Sequence, residues 1–271
     1  MAQSKIEWTN AVWNPVTGCT KVSPGCKNCY AETIAKRFWK GRKFTDVQMH
    51  EDRLEQPFHW KKPRMIFVNS MSDLFHEDVP FEFIDKVFYT MIINTQHIYQ
   101  ILTKRPERML KYVNRTILFQ EDKLYSSVPH VWLGVSVENN KTADGRIPIL
   151  LETPAAVRWI SIEPLLEDIT STFMRWTMEM EGWIKRNEIW VVVGGESGPK
   201  ARPCEVRWIK EIVSICQIQN IPVFVKQLGS NPKVMGLELP ADSKKGKNDD
   251  FELFPEWLKF REYPKKLSPA T

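Results

Sequence analysis

Six short β-branched or aromatic runs, each closed by small, polar or charged residues, constrain this 271-residue chain more than any other feature. They are Met65 to Val68 before Asn69-Ser70-Met71-Ser72-Asp73, Ile98 to Leu102 before Thr103-Lys104-Arg105, and Val131 to Val135 before Ser136-Val137-Glu138-Asn139. Val157 to Ile160 precedes Ser161-Ile162-Glu163-Pro164, Ile189 to Val193 precedes Gly194-Gly195-Glu196-Ser197-Gly198, and Pro222 to Val225 precedes Lys226-Gln227. Near-continuous apolar strands of this kind suit a parallel sheet covered on both faces. The intervening segments carry helical spacing. Examples are Phe81, Ile84, Val87, Phe88, Met91 and Ile92, then Phe173, Trp176, Met180 and Trp183, then Val206, Ile209, Ile212, Val213 and Cys216. Core packing against the sheet is the plain reading of each stripe.

Strands alternating with helices predict an α/β fold, a partial or complete (β/α) barrel. An open doubly wound sheet is the alternative. A short first strand is expected near Ala11 to Val16, weakened by Pro15, which cannot donate to a ladder. The reading places residues 1–240 in the barrel-like domain. It places a polar loop from Ala241 to Asp250 and an aromatic-rich docking piece from Phe251 to Pro264 in residues 241–271.

A hydrophobic fraction of 42% and a charged fraction of 26% exclude a disordered chain and a small disulfide scaffold. Met1 to Trp8 has no apolar stretch of signal type, and the longest aliphatic and aromatic run is Ile189 to Val193. No membrane span and a cytoplasmic location are therefore expected. A net charge of +5 permits an anionic partner without specifying one.

In a barrel, loops after the strands collect at one face and build the site. Asn69, Ser72, Asp73, Lys104, Arg105, Ser136, Glu138, Ser161, Glu163, Glu196, Lys226 and Gln227 would meet there. For any one of them, the plain reading is that polar residues begin where strands end. For the set, a shared pocket explains more. The Gly194-Gly195-Glu196-Ser197-Gly198 turn could cradle an anion or a ribose with its amides, or could simply need glycine for a tight connection.

Three cysteines, Cys19, Cys26 and Cys29, lie in one loop over residues 18–30 with C-x6-C-x2-C spacing, while Cys204 and Cys216 stand far downstream. Clustered cysteines without a secretory signal point to metal or redox chemistry. Three close thiolates suit an iron–sulfur cluster with one open iron. Structural zinc would need a fourth ligand from Cys204, Cys216 or a histidine such as His76. Lys36-Arg37-Phe38-Trp39-Lys40-Gly41-Arg42-Lys43 interleaves cations and rings, a pattern that pairs phosphates and stacks bases, or else marks a solvated helix end. A second basic patch, Lys61, Lys62 and Arg64, carries the same two readings.

A three-cysteine loop after the first strand of a βα-barrel resembles the radical SAM superfamily. The blocks Trp13 to Cys19, Cys26 to Ala31, Asn69 to Phe75, Leu102 to Pro106, Gly134 to Glu138, Ser161 to Leu165 and Gly194 to Gly198 resemble the phage- and prophage-associated three-Cys-motif family. A more distant similarity is to spore photoproduct lyase. The resemblance implies a [4Fe–4S] cluster on Cys19, Cys26 and Cys29, with S-adenosylmethionine chelated at the open iron and cleaved by one electron to a 5′-deoxyadenosyl radical. The cofactor would lie across the strand ends near Ser72, Asp73, Ser136, Glu138, Ser161, Glu163, Gly194, Gly195 and Glu196. The substrate would be a nucleic acid or nucleotide-derived group, and an external electron donor would be required. Cys204, just before a helix expected to begin near Glu205, would have its thiol pKa lowered by the helix dipole and would return a hydrogen atom to a substrate radical. Two other readings remain: a zinc-stabilised nucleic-acid-binding protein without catalysis, and a barrel hydrolase using Asp73, Glu138 and Glu163.

Overall fold

The computed structural model describes residues 4, 6–115, 128–179, 188–234 and 249–264. In chain order the elements are β1 (Ala11–Trp13), β2 (Val16–Thr17), α1 (Tyr30–Phe38), β3 (Gln48–Met49), β4 (Met65–Val68), α2 (Phe81–Ile93), β5 (Ile98–Thr103), α3 (Pro106–Arg115) and β6 (Val131–Ser136). They continue with α4 (Asn140–Glu152), β7 (Val157–Ile162), α5 (Thr170–Glu179), β8 (Ile189–Gly194), β9 (Cys204–Glu205), α6 (Val206–Ile218), β10 (Val223–Gln227) and β11 (Pro232–Lys233).

Seven strands form one parallel sheet in the order β1-β4-β5-β6-β7-β8-β10. The order follows the chain without reversal, so the sheet has no topological switch point and the doubly wound alternative falls. The sheet is a half-barrel: among the described residues β1 and β10 are its two edges. The first strand is split. β1 stops at Trp13, and Val16–Thr17 beyond Pro15 turns away to pair antiparallel with β3.

Alternation along the strands explains the unbroken apolar runs. Ile66, Val68, Tyr99, Ile101, Leu133, Val135, Ile160, Val191 and Val225 pack outwards with the buried faces of the helices. Met65, Phe67, Ile98, Trp132, Val157, Trp159, Trp190 and Phe224 pack inwards with Trp8. Both sides of each strand are therefore buried, as a parallel sheet requires. The inner rings meet edge to face: Trp8 lies 4.8 Å from Phe67 and 5.1 Å from Trp159. Trp159 lies across Gly134, where a Cβ would stand 2.5 Å from the indole, and it donates to the Ile101 carbonyl at 3.0 Å. These rings fill the half-barrel below its C-terminal end. The same alternation, continued upwards, sets Ser136, Ser161, Glu163 and Lys226 on the inner face above them.

The edge of β10 is met by the C-terminal piece. The Val225 amide donates to Phe260 and the Glu262 amide to Val223, while Tyr263 stacks on Trp190 at 5.4 Å. Met180 and Trp183 of the expected fifth-helix stripe, and residues 241–248 of the expected polar loop, lie outside the described residues. Among the described residues no helix is long and apolar enough to cross a membrane.

Candidate functional site

The three-cysteine loop begins at Gly18, whose φ of +96° is open to glycine; a Cβ there would stand 2.4 Å from the Asp46 carbonyl. The Cys19 amide donates to Phe44 at 2.8 Å. Pro24–Cys26 forms a 3-10 turn, and Cys29 is the N-cap residue of α1. All three cysteines are half-buried. As they stand, no three His, Cys, Asp or Glu side chains among the described residues are grouped closely enough to hold a metal ion. The donor set itself, three soft thiols from one loop, fits an iron–sulfur cluster with one iron left open.

Residues following four strands grip this loop. After β5, Arg105 is almost wholly buried. Its Nε donates to both Glu77 oxygens at 2.9 Å, and its Nη2 donates to Thr20 Oγ1 at 2.9 Å and to the Thr20 carbonyl at 3.3 Å. Its Nη1 reaches Asp73 at 3.2 Å and the Cys19 sulfur at 3.7 Å. After β6, the fully buried Glu138 accepts from Ser23 at 2.8 Å and from Arg146 at 3.1 Å. Gly25 sits so close to Glu138 that a Cβ would stand 2.5 Å from it. Asn139 then caps α4 with a reciprocal Thr142 bond, which fixes the backbone beside Glu138. After β8, Glu196 accepts from Asn28 at 3.0 Å and from Arg202, and Arg202 also donates to the Pro24 carbonyl at 2.9 Å. After β4, the Ser70 carbonyl accepts from Tyr30 at 2.6 Å. The loop thus spans the C-terminal mouth of the half-barrel.

The electrostatics follow from these contacts. Burial pushes the Cys19 thiol up to about 11; Asp73 adds to the rise and Arg105 opposes it. Burial works against ionisation of Glu196, but the bonds from Arg202 and Asn28 outweigh it and hold the carboxylate below its ordinary range. His76 bonds to Thr20 Oγ1 at 2.8 Å while its Nδ1 accepts from the Asp78 amide at 3.1 Å, so the proton sits on Nε2. Burial and then Arg105 lower its pKa, and it is a neutral, satisfied histidine.

The expected pocket residues divide. Glu163 faces the mouth, where Lys226 Nζ lies 2.8 and 2.9 Å from its oxygens and Gln227 also donates to it. Ser136 donates to the Glu163 carbonyl at 3.1 Å, and Ser161 is buried on the same face. Asp73 and Ser72 are internal fasteners. Asp73 accepts from Thr103 at 2.8 Å, Lys104 N at 3.1 Å and Phe75 N at 3.0 Å, and Ser72 donates to the Val16 carbonyl at 2.8 Å. The glycine turn resolves towards close packing. A Cβ on Gly195 would stand 2.4 Å from the Leu228 carbonyl, and the Gly195 and Gly198 amides already donate to Gln227 and Ser230. The Gly195 and Gly198 amides are therefore not free to serve an open cradle.

Cys204 corrects an expectation. It lies in β9, 1% exposed, against Gly195. Burial, helped by Glu205, pushes its thiol up to about 12, the reverse of the lowering expected from the helix that follows. Cys216 is core on α6. Sequence reasoning missed Arg202 as a grip on the loop and Arg146 as the cation that holds Glu138. Thr20, Ser23 and Asn28 carried a signal only as polar residues between the cysteines.

A family model described as "Protein of unknown function (DUF5131)" matches residues 3–255. No curated protein matches the sequence. Among solved structures, spore photoproduct lyase complexed with dinucleoside spore photoproduct is 13% identical with a TM-score of 0.52, over 79% of this chain and 62% of that one. A mutant lyase with bound AdoMet and the same dinucleoside is 12% identical with a TM-score of 0.51, over 75% of this chain and 60% of that one. The chain thus spans about three-fifths of the lyase length. At such identity the likeness shows the fold, a half-barrel like that of spore photoproduct lyase. With the match covering nearly its whole length, the chain belongs to the DUF5131 family.

Proposed function

We propose that this chain is a radical S-adenosylmethionine enzyme acting on a nucleic acid or nucleotide-derived group. The observation that carries the reading is the cysteine loop, fastened over the C-terminal mouth of a parallel half-barrel by residues following four strands. The fold likeness to a lyase whose structures hold AdoMet and a dinucleoside supports it. Cys19, Cys26 and Cys29 would hold a [4Fe–4S] cluster, which when bound supplies one electron for reductive cleavage of S-adenosylmethionine, the electron coming from an external donor.

The chain's own residues then have separable tasks. Arg105, Glu138 and Glu196 hold the loop. Glu163, Ser136 and Ser161 offer the polar wall facing it, with Glu163, already paired with Lys226, accepting from ribose hydroxyls. The tryptophan floor closes the lower end against water, which matters for radical chemistry. Residues 1–240 would form the catalytic unit and 241–271 the docking segment. The hydrolase reading loses ground because Asp73, Glu138 and Glu163 are each matched by a cation, Arg105, Arg146 and Lys226. Cys204 as hydrogen donor would require the β9 segment to open, since the thiol is buried.

Anaerobic reconstitution with iron and sulfide, followed by metal analysis, electron paramagnetic resonance after dithionite, and an S-adenosylmethionine cleavage assay, tests the proposal. The expected result is a brown protein that loses its iron in Cys19→Ala, Cys26→Ala or Cys29→Ala and keeps it in Cys216→Ala. Glu163→Ala should keep the iron and bind S-adenosylmethionine more weakly. A colourless protein carrying stoichiometric zinc would overturn the reading in favour of a zinc-stabilised binding protein.

A further inference from the structure

We propose that α1 and the turn after it form a track along which single-stranded nucleic acid reaches the mouth of the half-barrel. Residues 21–43 carry seven Lys and Arg against one Glu, a net +6, where the whole chain carries +5. The basic balance of the protein therefore lies in this one stretch. Some of these cations are engaged. Lys21 and Lys36 pair with Glu32, and Arg42 pairs with Asp46 and lies over Trp39 at 4.1 Å. Lys27, Arg37, Lys40 and Lys43 are exposed, and among the described residues none of them has a carboxylate at ion-pair distance.

Rings stand beside these cations. Ala31 and Ala35 bury one face of α1, while Tyr30, Ile34 and Phe38 are 49%, 40% and 65% exposed. At 3.6 residues per turn, Tyr30, Ile34, Arg37 and Phe38 share a sector of about 100°. The Arg37 guanidinium lies 5.2 Å from the centre of the Phe38 ring. Tyr30 is tied to the rim through Ser70, so the stripe starts at the mouth and extends for roughly 12 Å along the helix. Interleaved rings and unpaired cations suit bases that stack and phosphates that need neutralising. An acidic protein would use the charge but gain little from isolated rings separated by Arg37. The proposal rests on the nucleotide half of the reading above and not on the cluster, so its test uses the metal-free chain.

Fluorescence anisotropy with a labelled oligothymidine, titrated with protein from low to moderate salt, measures the track. The combined variant Arg37→Glu, Lys40→Glu, Lys43→Glu should bind at least 10-fold more weakly. Its log–log salt slope should fall by about 2, since each single-strand phosphate contact contributes about 0.7. Phe38→Ala should weaken binding about 5-fold or more with the salt slope unchanged, the signature of stacking. Lys111→Glu, an exposed site on α3, should bind as the parent does. The proposal is overturned if the parent does not bind the oligonucleotide or if the α1 variants bind as it does. It also falls if Phe38→Ala is neutral while polyglutamate of equal charge competes as well as the oligonucleotide, which would make the surface a dock for an acidic protein. A parent chain that takes up iron but does not bind the oligonucleotide would sink the track and leave the cluster reading standing.

Discussion

Arg105 Nη1 lies 3.7 Å from the Cys19 sulfur and 3.2 Å from Asp73, so one buried guanidinium joins the candidate metal loop to the turn after β4. Its other nitrogens bind Glu77 and Thr20. Removing it leaves the buried Asp73 without its cation, a change that typically costs about 3–5 kcal/mol. Arg105→Met is expected to lower stability by about 3 kcal/mol in urea unfolding and to reduce iron uptake. Arg105→Lys, which keeps the charge but loses the planar fork, should recover part of the stability and less of the uptake. A variant as stable as the parent would show that the loop does not depend on this grip.

Gly25 and Gly145 make a matched pair of tests. A Cβ on Gly25 would meet Glu138 at 2.5 Å, and that carboxylate is fully buried and pinned by Ser23 and Arg146. Gly25→Ala should therefore cost about 1–3 kcal/mol and displace the loop. Gly145 lies inside α4, with nothing within 4 Å of its Cβ position. Gly145→Ala should stabilise by up to about 1 kcal/mol, because alanine is the better helix former. Thermal melts of both variants decide the matter, and a neutral Gly25→Ala would mean that the loop is not held against Glu138.

The sheet could be read from the sequence because each strand is buried on both faces, so Ile189 to Val193 is apolar without a break. The helices could be read from the periodicity that buries Ile209, Ile212 and Cys216 on one side of α6. The cysteine loop was visible from spacing alone. Its fastening was not, because Arg105 and Arg202 reach the loop across 86 and 178 positions of chain and leave no local pattern. Gly195 illustrates a second limit: a glycine needed for close approach to Leu228 and one that frees an amide for a ligand look the same in sequence. Cys204 illustrates a third. Its burial depends on the two-residue pairing of β9 with β11, set by the Cys204 amide bonding to Asn231.

His97 and His130 make the fold sensitive to mild acid. Burial lowers both pKa values, although each ring bonds to a carbonyl, His97 to Pro57 at 3.2 Å and His130 to Met91 at 2.9 Å. Both groups bind fewer protons folded than unfolded just below pH 6.5, so their stabilisation is full above that pH and is lost as pH falls through the folded values. His50 and His76 shift the same way. Urea unfolding at pH 7.5 and 5.5 should show a loss of about 1 kcal/mol or more. His130→Gln should flatten the dependence. Equal stability at the two pH values would contradict the burial of these rings.

The thiols should sort by alkylation. Cys26 and Cys29 are half-buried at the mouth, Cys19 is pushed up to about 11 by burial and by Asp73, and Cys204 is pushed up to about 12 by burial. Cys216 is raised further in the core. Thiolate is the reactive form, so iodoacetamide on the metal-free native chain at pH 8 should label Cys26 and Cys29 first and Cys19 more slowly. Cys204 and Cys216 should react only after unfolding, as read by peptide mass spectrometry. The same shift sets an alkaline limit. Cys204 holds its proton more tightly folded than unfolded, so its contribution is complete below pH 9 and is lost as pH rises from 9 towards 12. At pH 10 the loss from this group is on the order of 1 kcal/mol, and Cys204→Ala should remove it. Native labelling of Cys204 at pH 8 would show that β9 opens in solution, the one motion that would bring this thiol within reach of a substrate.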